Sequence, residues 1–216
     1  MSTPPTTIPD APVPAPGPAA SGHEAAAGSH RTSEELEAFL PTLLAAPRDA
    51  GTLELVVRRP QAGQREVLEE GELDLVVGLV GDSWSARPSS RTPDGAAHAD
   101  MQLTVMSAPL VALLAGTSER RALAGDQLYV DLDLSLDNLP AGSLLTVGDP
   151  HEGGAVLEVT AQPHTGCAKF VARFGAEAMR FVNGSRGRSL RLRGLNARVV
   201  VAWRVRPGDP VTVTRP

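Results

Sequence analysis

Between Gln127 and Ser135 the chain alternates, with Leu128, Val130, Leu132 and Leu134 apolar and Tyr129, Asp131, Asp133 and Ser135 between them. A period of two predicts a strand with one dry face and one wet face. Shorter runs of the same texture, bounded by Gly, Pro and Asp, are "TLELVVRRP" from Thr52, "MQLTVM" from Met101, "SLLTVG" from Ser143, "AVLEVTAQ" from Ala155, "ARVVVAWRV" from Ala197 and "PVTVTR" from Pro210. Each predicts a strand. The period becomes helical in "TSEELEAFLPTLLAAP", where Thr32 and Glu35 have capping-box spacing and Leu36, Phe39, Leu40 and Leu43 recur on one face. Pro41 is expected to kink or end that helix. "SAPLVALLAG" predicts a short helix with Pro109 in its first turn. In "CAKFVARFGAEAMRFVN" a single stripe of Val171, Phe174, Ala178, Phe181 and Val182 predicts one helix, stopped by Asn183-Gly184.

About seven strands and two or three helices predict a mainly β domain over 31–216, most simply a barrel or closed sandwich. No repeat of fixed period points to a solenoid or propeller. Residues 1–30 hold seven prolines and little to bury, which predicts a disordered tail with polyproline II character in "PDAPVPAPGP".

Composition sharpens this picture. Apolar residues make up 42% and aromatics only 3%, so the core is built from Val, Leu and Ala, and platforms for stacking nucleic-acid bases are lacking. A net charge of −5 argues against nucleic acid or an anionic membrane as partner. One cysteine, Cys167, excludes an internal disulfide framework and a cysteine-based structural zinc site. The beginning of the chain has neither the basic nor the apolar region of an export signal, and no apolar run approaches the ~20 residues of a membrane span, so the expected location is the cytoplasm. Arginine almost completely replaces lysine, in the manner of GC-rich bacterial coding.

The exception is Lys169, the one lysine, two residues after Cys167 in "PHTGCAKF". With Thr165 as N-cap, Cys167 would be the second helical residue, among free N–H groups that favour an anion. His164, Lys169 and Arg173 are nearby cations of the kind that favour a thiolate. Lys169 does not share a helical face with Cys167. From position alone the sulfur is either such a reactive group or one of the inert, buried small hydrophobes that lone cysteines often are. A Schiff base on Lys169 has no phosphate-cradling glycine loop to accompany it.

Downstream, "GSRGRSLRLRGLNAR" concentrates Arg186, Arg188, Arg191, Arg193 and Arg198. Such a strip suits a phosphate or polyanion, or is simply a solvated basic surface. The glycine-acid turns "GLVGDSW" and "AGDQL" lack the length and lysine of a Walker loop and read as structural, and His98 with Asp100 reads as a surface loop. Serine-hydrolase and zincin motifs are absent.

"AGDQLYVDLDLSLDNLPAGSLLTVG", followed by a strand, "PHTGCAKFVARFGAEAMRFVN" and "LRLRGLNARVVV…RVRPGD", resembles bacterial MOSC-domain proteins across most of 73–209. The resemblance implies a MOSC-type β-barrel and binding of the molybdenum cofactor (molybdopterin), or carriage of its sulfur. Some members reduce N-hydroxylated compounds. Cys167 would then be the catalytic residue, as molybdenum ligand or persulfide carrier. Lys169, Arg173, Arg191 and Arg193 would serve the pterin phosphate, Asn196 would be a polar contact, and His164 would be a further cofactor-binding residue. A reductase of this kind needs a separate electron donor, and a sulfur carrier needs a sulfur donor, because no flavin, haem or iron–sulfur motif is present. Gly166 replaces the proline that several relatives have before the cysteine, and Pro109 and Trp203 also depart from the pattern. The rival readings are a barrel that binds a polyanion through the arginine strip, and a degenerate domain of this fold without cofactor.

Overall fold

The computed structural model describes residues 30–149 and 153–216. The tail expected over 1–30 lies outside the described residues except for His30. Helix α1 (Ser33–Leu44) begins at the capping box: the Thr32 hydroxyl accepts the Glu35 N–H at 3.2 Å, and the Glu35 carboxylate accepts the Thr32 N–H at 2.8 Å. Pro41 neither ends nor interrupts it. The hydrogen bond lost there is the one to the carbonyl of Glu37, an exposed residue, while Leu36 and Leu40 anchor the buried face.

Then come β1 (Ala50–Arg58), β2 (Glu66–Leu68), β3 (Gly71–Asp74), β4 (Gly78–Leu79), β5 (Leu103–Ser107), α2 (Ala108–Ala115), α3 (Ser118–Arg121), β6 (Leu128–Asp131), β7 (Leu144–Val147), β8 (Ala155–Val159), α4 (Ala168–Asn183), α5 (Ser185–Ser189), β9 (Leu195–Val201), β10 (Trp203–Val205) and β11 (Pro210–Thr214). Seven strands in the order β11-β7-β8-β9-β5-β6-β1 form a barrel, closed by the pairing of β1 with β11. Neighbours are antiparallel except β5 and β6, whose parallel pairing requires a crossover, supplied by α2 and α3. β2 extends one edge of β1, and β10, β3 and β4 form a small second sheet. With two to four residues each, β2, β3 and β4 are too short for periodicity to reveal.

The barrel is filled by Leu53, Val56, Val105, Leu128, Val130 and their neighbours. A second core lies outside it, where Val57, Met106 and Tyr129 meet Leu36, Leu110, Phe170 and Phe174 from the helices. This corrects the expected wet face of the alternating segment: Tyr129 is fully buried because the helical layer covers that face. The strand is also shorter than expected. Asp133 caps a turn, its carboxylate accepting the Ser135 N–H at 2.9 Å, and this ends the extended chain while Leu132 and Leu134 stay buried. Among the described residues no helix is long and apolar enough to cross a membrane.

Candidate functional site

The turn carrying Cys167 is shaped by α4, which is not one continuous helix. Gly175 has φ 90° and ψ 167°, a conformation that residues with a Cβ avoid. A straight helix of 16 residues would be about 24 Å long. Yet Gly166, just before its start, donates its N–H to Asn183 Oδ1 at 3.0 Å, and Asn183 Nδ2 donates to the Gly166 carbonyl at 3.3 Å. The second segment therefore folds back on the first. The single predicted stripe is divided between two segments, and Phe170, Phe174, Ala178 and Val182 still reach the same outer core.

Cys167 itself is the N-cap, in place of Thr165, which is exposed. Its carbonyl accepts the Phe170 and Val171 N–H groups at 2.8 and 3.1 Å. With Gly166 held by Asn183, the helix starts later than the sequence suggests. The thiol is free and exposed.

Three residues back, His164 enters a buried polar group. Its Nε2 donates to Asp126 Oδ1 at 2.7 Å, and Arg193 Nη1 donates to Asp126 Oδ2 at 2.6 Å. Arg193 also donates to the Ala124 carbonyl at 3.1 Å, and its guanidinium carbon lies 5.0 Å from the Phe170 ring centre. Burial would raise the Asp126 carboxyl, but Arg193 and His164 outweigh it and hold the group down at about 2. Burial, then Arg193, depress His164 against the pull of Asp126, so its imidazole is neutral and acts as donor. Burial and the Asp126 carboxylate push the Tyr129 phenol up, and its oxygen accepts the Asp126 N–H at 3.2 Å.

The other side of the same turn is crowded with arginine. Gly125 has φ 87°, and a Cβ built on it would lie 3.1 Å from Arg65 Nη2 and 3.6 Å from Arg173 Nη1. Arg59 donates to the Gly125 carbonyl at 2.9 Å. Arg59 is neutralised by a buried fork onto Asp82 at 2.8 and 2.9 Å. Arg65, Arg87 and Arg173 form no salt bridge among the described residues; Arg173 donates to the Leu123 carbonyl and Arg87 to the Ser83 hydroxyl. Burial, then Arg173 and Arg59, lower Arg65, while burial, then Arg59, lower Arg87. The buried Nε of Arg65 has no hydrogen-bond partner. Arg65 and Arg173, half-buried guanidinium groups without a carboxylate partner among the described residues, are a setting for an anion, and Arg87 is exposed beside them with Asp82 in reach.

The remaining predicted residues are dispersed. Lys169 is exposed on the first turn of α4. Arg191, at φ 47°, donates to the Leu139 carbonyl at 2.6 Å in a different turn. Asn196 is fully buried on β9; its Nδ2 donates to the Gln162 carbonyl at 3.2 Å, tying down the loop that leads to Cys167, and its Oδ1 has no partner. Arg186 faces Glu37 at 3.6 Å and Arg198 faces Glu158 at 2.8 Å. With Arg193 buried, the arginine run does not form one continuous basic strip. Sequence reading passed over Arg59, Arg65, Arg87, Asp82 and Asp126. The two acids sit in the glycine-acid turns read as structural, and nothing in local spacing shows that these turns meet the arginines.

Trp203 lies away from these groups and lines a cavity of about 560 Å³ with Asp74, Gly153, Arg204, Arg206 and Asp209. Pro109 sits in the first turn of α2. His98 Nδ1 accepts the Asp100 N–H at 3.2 Å, a local cap. Among the described residues no three His, Cys, Asp or Glu side chains are grouped to hold a metal.

No family model and no curated protein matches the chain. Among solved structures, the YuaD protein from Bacillus subtilis superposes with a TM-score of 0.53 at 17% identity, over 76% of this chain and 95% of that one. YiiM from Escherichia coli gives 0.46 at 18% identity, over 76% and 69%. At such identities the likeness to YuaD is one of fold.

Proposed function

We infer that this chain, whose closed seven-stranded barrel is of the MOSC type by fold, binds the molybdenum cofactor, with Cys167 as the ligand to the metal. The observation that carries this reading is the convergence of Arg65 and Arg173 on Gly125, with Arg87 near them. Arg173 belongs to the helix that starts at the exposed thiol of Cys167. An anionic phosphate supplies the charge this cluster lacks, and an exposed sulfur is open to a metal, so the residues present fit the group.

When bound, the cofactor supplies two-electron redox chemistry. Arg65, Arg87 and Arg173 hold the phosphate. The buried Asp126 fixes His164 and Arg193, and through the Arg193–Phe170 contact it fixes the first turn of α4. Asn196 secures the approach of the loop at Gln162. Electrons for a reductase, acting on N-hydroxylated compounds for example, arrive from a separate protein.

The test is metal and pterin analysis of protein purified from a host that makes the cofactor. Molybdenum and pterin in equal amounts, with metal lost in Cys167→Ala, is the expected result. Metal-free protein from such a host overturns the reading.

A further inference from the structure

We propose that Asn183 is a positioning residue for Cys167. The inference rests on the reading of Cys167 as the functional sulfur. Asn183 grips both polar groups of the preceding residue, accepting the Gly166 N–H at 3.0 Å and donating to the Gly166 carbonyl at 3.3 Å. Its Nδ2 also lies 3.3 Å from Met179 Sδ, one helical turn back on the same segment. Met179 in turn closes the space over Gly166, since a Cβ there would meet its sulfur at 2.6 Å. The residue before the cysteine is thus held by two hydrogen bonds and a packed thioether.

The grip exists only because the chain reverses at Gly175. Without the reversal, Asn183 would lie more than 20 Å from Gly166 at ~1.5 Å rise per residue. The His30 ring packs against Gly175 so closely that a Cβ would lie 2.8 Å from its Cγ, which leaves no room for a larger residue at the bend. Holding Gly166 outside the helix makes Cys167 the N-cap and keeps the sulfur at the end where N–H groups are free. Release of Gly166 lets the turn rearrange and moves the sulfur off that end.

The experiment measures alkylation of the one cysteine by iodoacetamide in metal-free, folded protein at pH 7.5, with urea midpoints alongside. Asn183→Ala is expected to slow alkylation roughly thirtyfold, the order set by losing the positioning of two neutral hydrogen bonds at about 1 kcal/mol each. Asn183→Asp keeps the acceptor for the Gly166 N–H but replaces the donor with a carboxylate oxygen set against the Gly166 carbonyl, so it slows alkylation as well. Gly166→Ala slows alkylation, and adding Met179→Ala restores it by making room for the methyl group. A clamp that is merely structural would lower the urea midpoint and leave the rate of the folded protein unchanged; that result overturns the proposal. If Asn183→Ala does not fold, the Asp variant and the Gly166/Met179 pair decide, and wild-type rates in both overturn it. The cofactor reading fails separately, on the metal content of the wild-type protein.

Discussion

Asp126 and Arg193 are 67 residues apart in sequence and meet at 2.6 Å in a site where the carboxylate side chain has no solvent exposure. His164 occupies the other carboxylate oxygen at 2.7 Å. This three-residue contact joins the start of β6, the approach to β9 and the loop that carries Cys167, so the barrel and the candidate site share one electrostatic anchor.

Removing the charge at that anchor strands a buried guanidinium. Asp126→Asn is expected to cost about 3–5 kcal/mol, the usual penalty for breaking a buried ion pair from one side. Urea denaturation followed by circular dichroism measures it. A loss below about 1 kcal/mol would contradict the pairing.

The same anchor sets a pH dependence. His164 is depressed in the fold, so the unfolded chain, with an ordinary imidazole near 6.5, takes up its proton first as pH falls. The contribution of Asp126 is present above the ordinary carboxylate value of about 3.9 and is lost as pH falls towards about 2. Both effects have the same sign: stability decreases from about pH 6.5 downwards. His164→Gln should flatten the part above about pH 4.5 and leave the steeper acid limb. Urea midpoints measured from pH 8 to pH 3 in the two proteins test this.

Gly125 is constrained twice, by its φ of 87° and by Arg65 Nη2 at 3.1 Å from a would-be Cβ. Gly125→Ala should cost at least about 1 kcal/mol from backbone strain. It should also displace Arg65 and reduce retained pterin. Pterin fluorescence of denatured protein reads the second effect independently of the first.

Inorganic phosphate should stabilise the cofactor-free protein by about 2.7 kcal/mol at a hundred times its Kd. The combined Arg65→Ala and Arg173→Ala change should abolish that gain. Thermal melts with and without phosphate are the measurement; an equal shift in both proteins would assign the anion elsewhere.

Cys167→Ser should leave stability within about 0.5 kcal/mol, because the thiol is exposed and caps nothing with its side chain. The wild-type thiol should titrate fully with a disulfide reagent before any denaturant is added. A thiol that reacts only on unfolding would count against an accessible site.

The legible part of this chain was what depends on neighbours in sequence. The Thr32–Glu35 cap, the strands around Leu145, Leu157 and Val211, and the helix stop at Asn183-Gly184 were all visible as local chemistry. What was missed depends on contacts between distant segments. Tyr129 stands in a polar row of an alternating pattern, yet it is buried in the outer core that the helices complete. Pro41 survives in α1 because the carbonyl it deprives belongs to Glu37, an exposed residue. Gly175 reads as one small residue in an apolar stripe, although its backbone reverses the helix. Arg59, Arg65 and Arg87 carry no motif, and only the folded chain brings Arg59 and Arg65 onto Gly125, with Arg87 beside them. Cys167 and Arg173 were singled out from the sequence, and the structure places Cys167 at the N-cap of α4 and Arg173 within it.

The barrel is sealed by three residue pairs, Ala50 with Thr212, Gly51 with Val211 and Thr52 with Pro210. Because β1 and β11 are separated by about 150 residues of chain, that seam cannot form until all the strands between them, and β11 itself, have left the ribosome. During synthesis the open margins of β1 and β7 must wait, unpaired, for the arrival of β11. A nascent chain stalled ahead of Pro210 therefore presents two bare sheet edges, the state in which this fold is most exposed to misassembly.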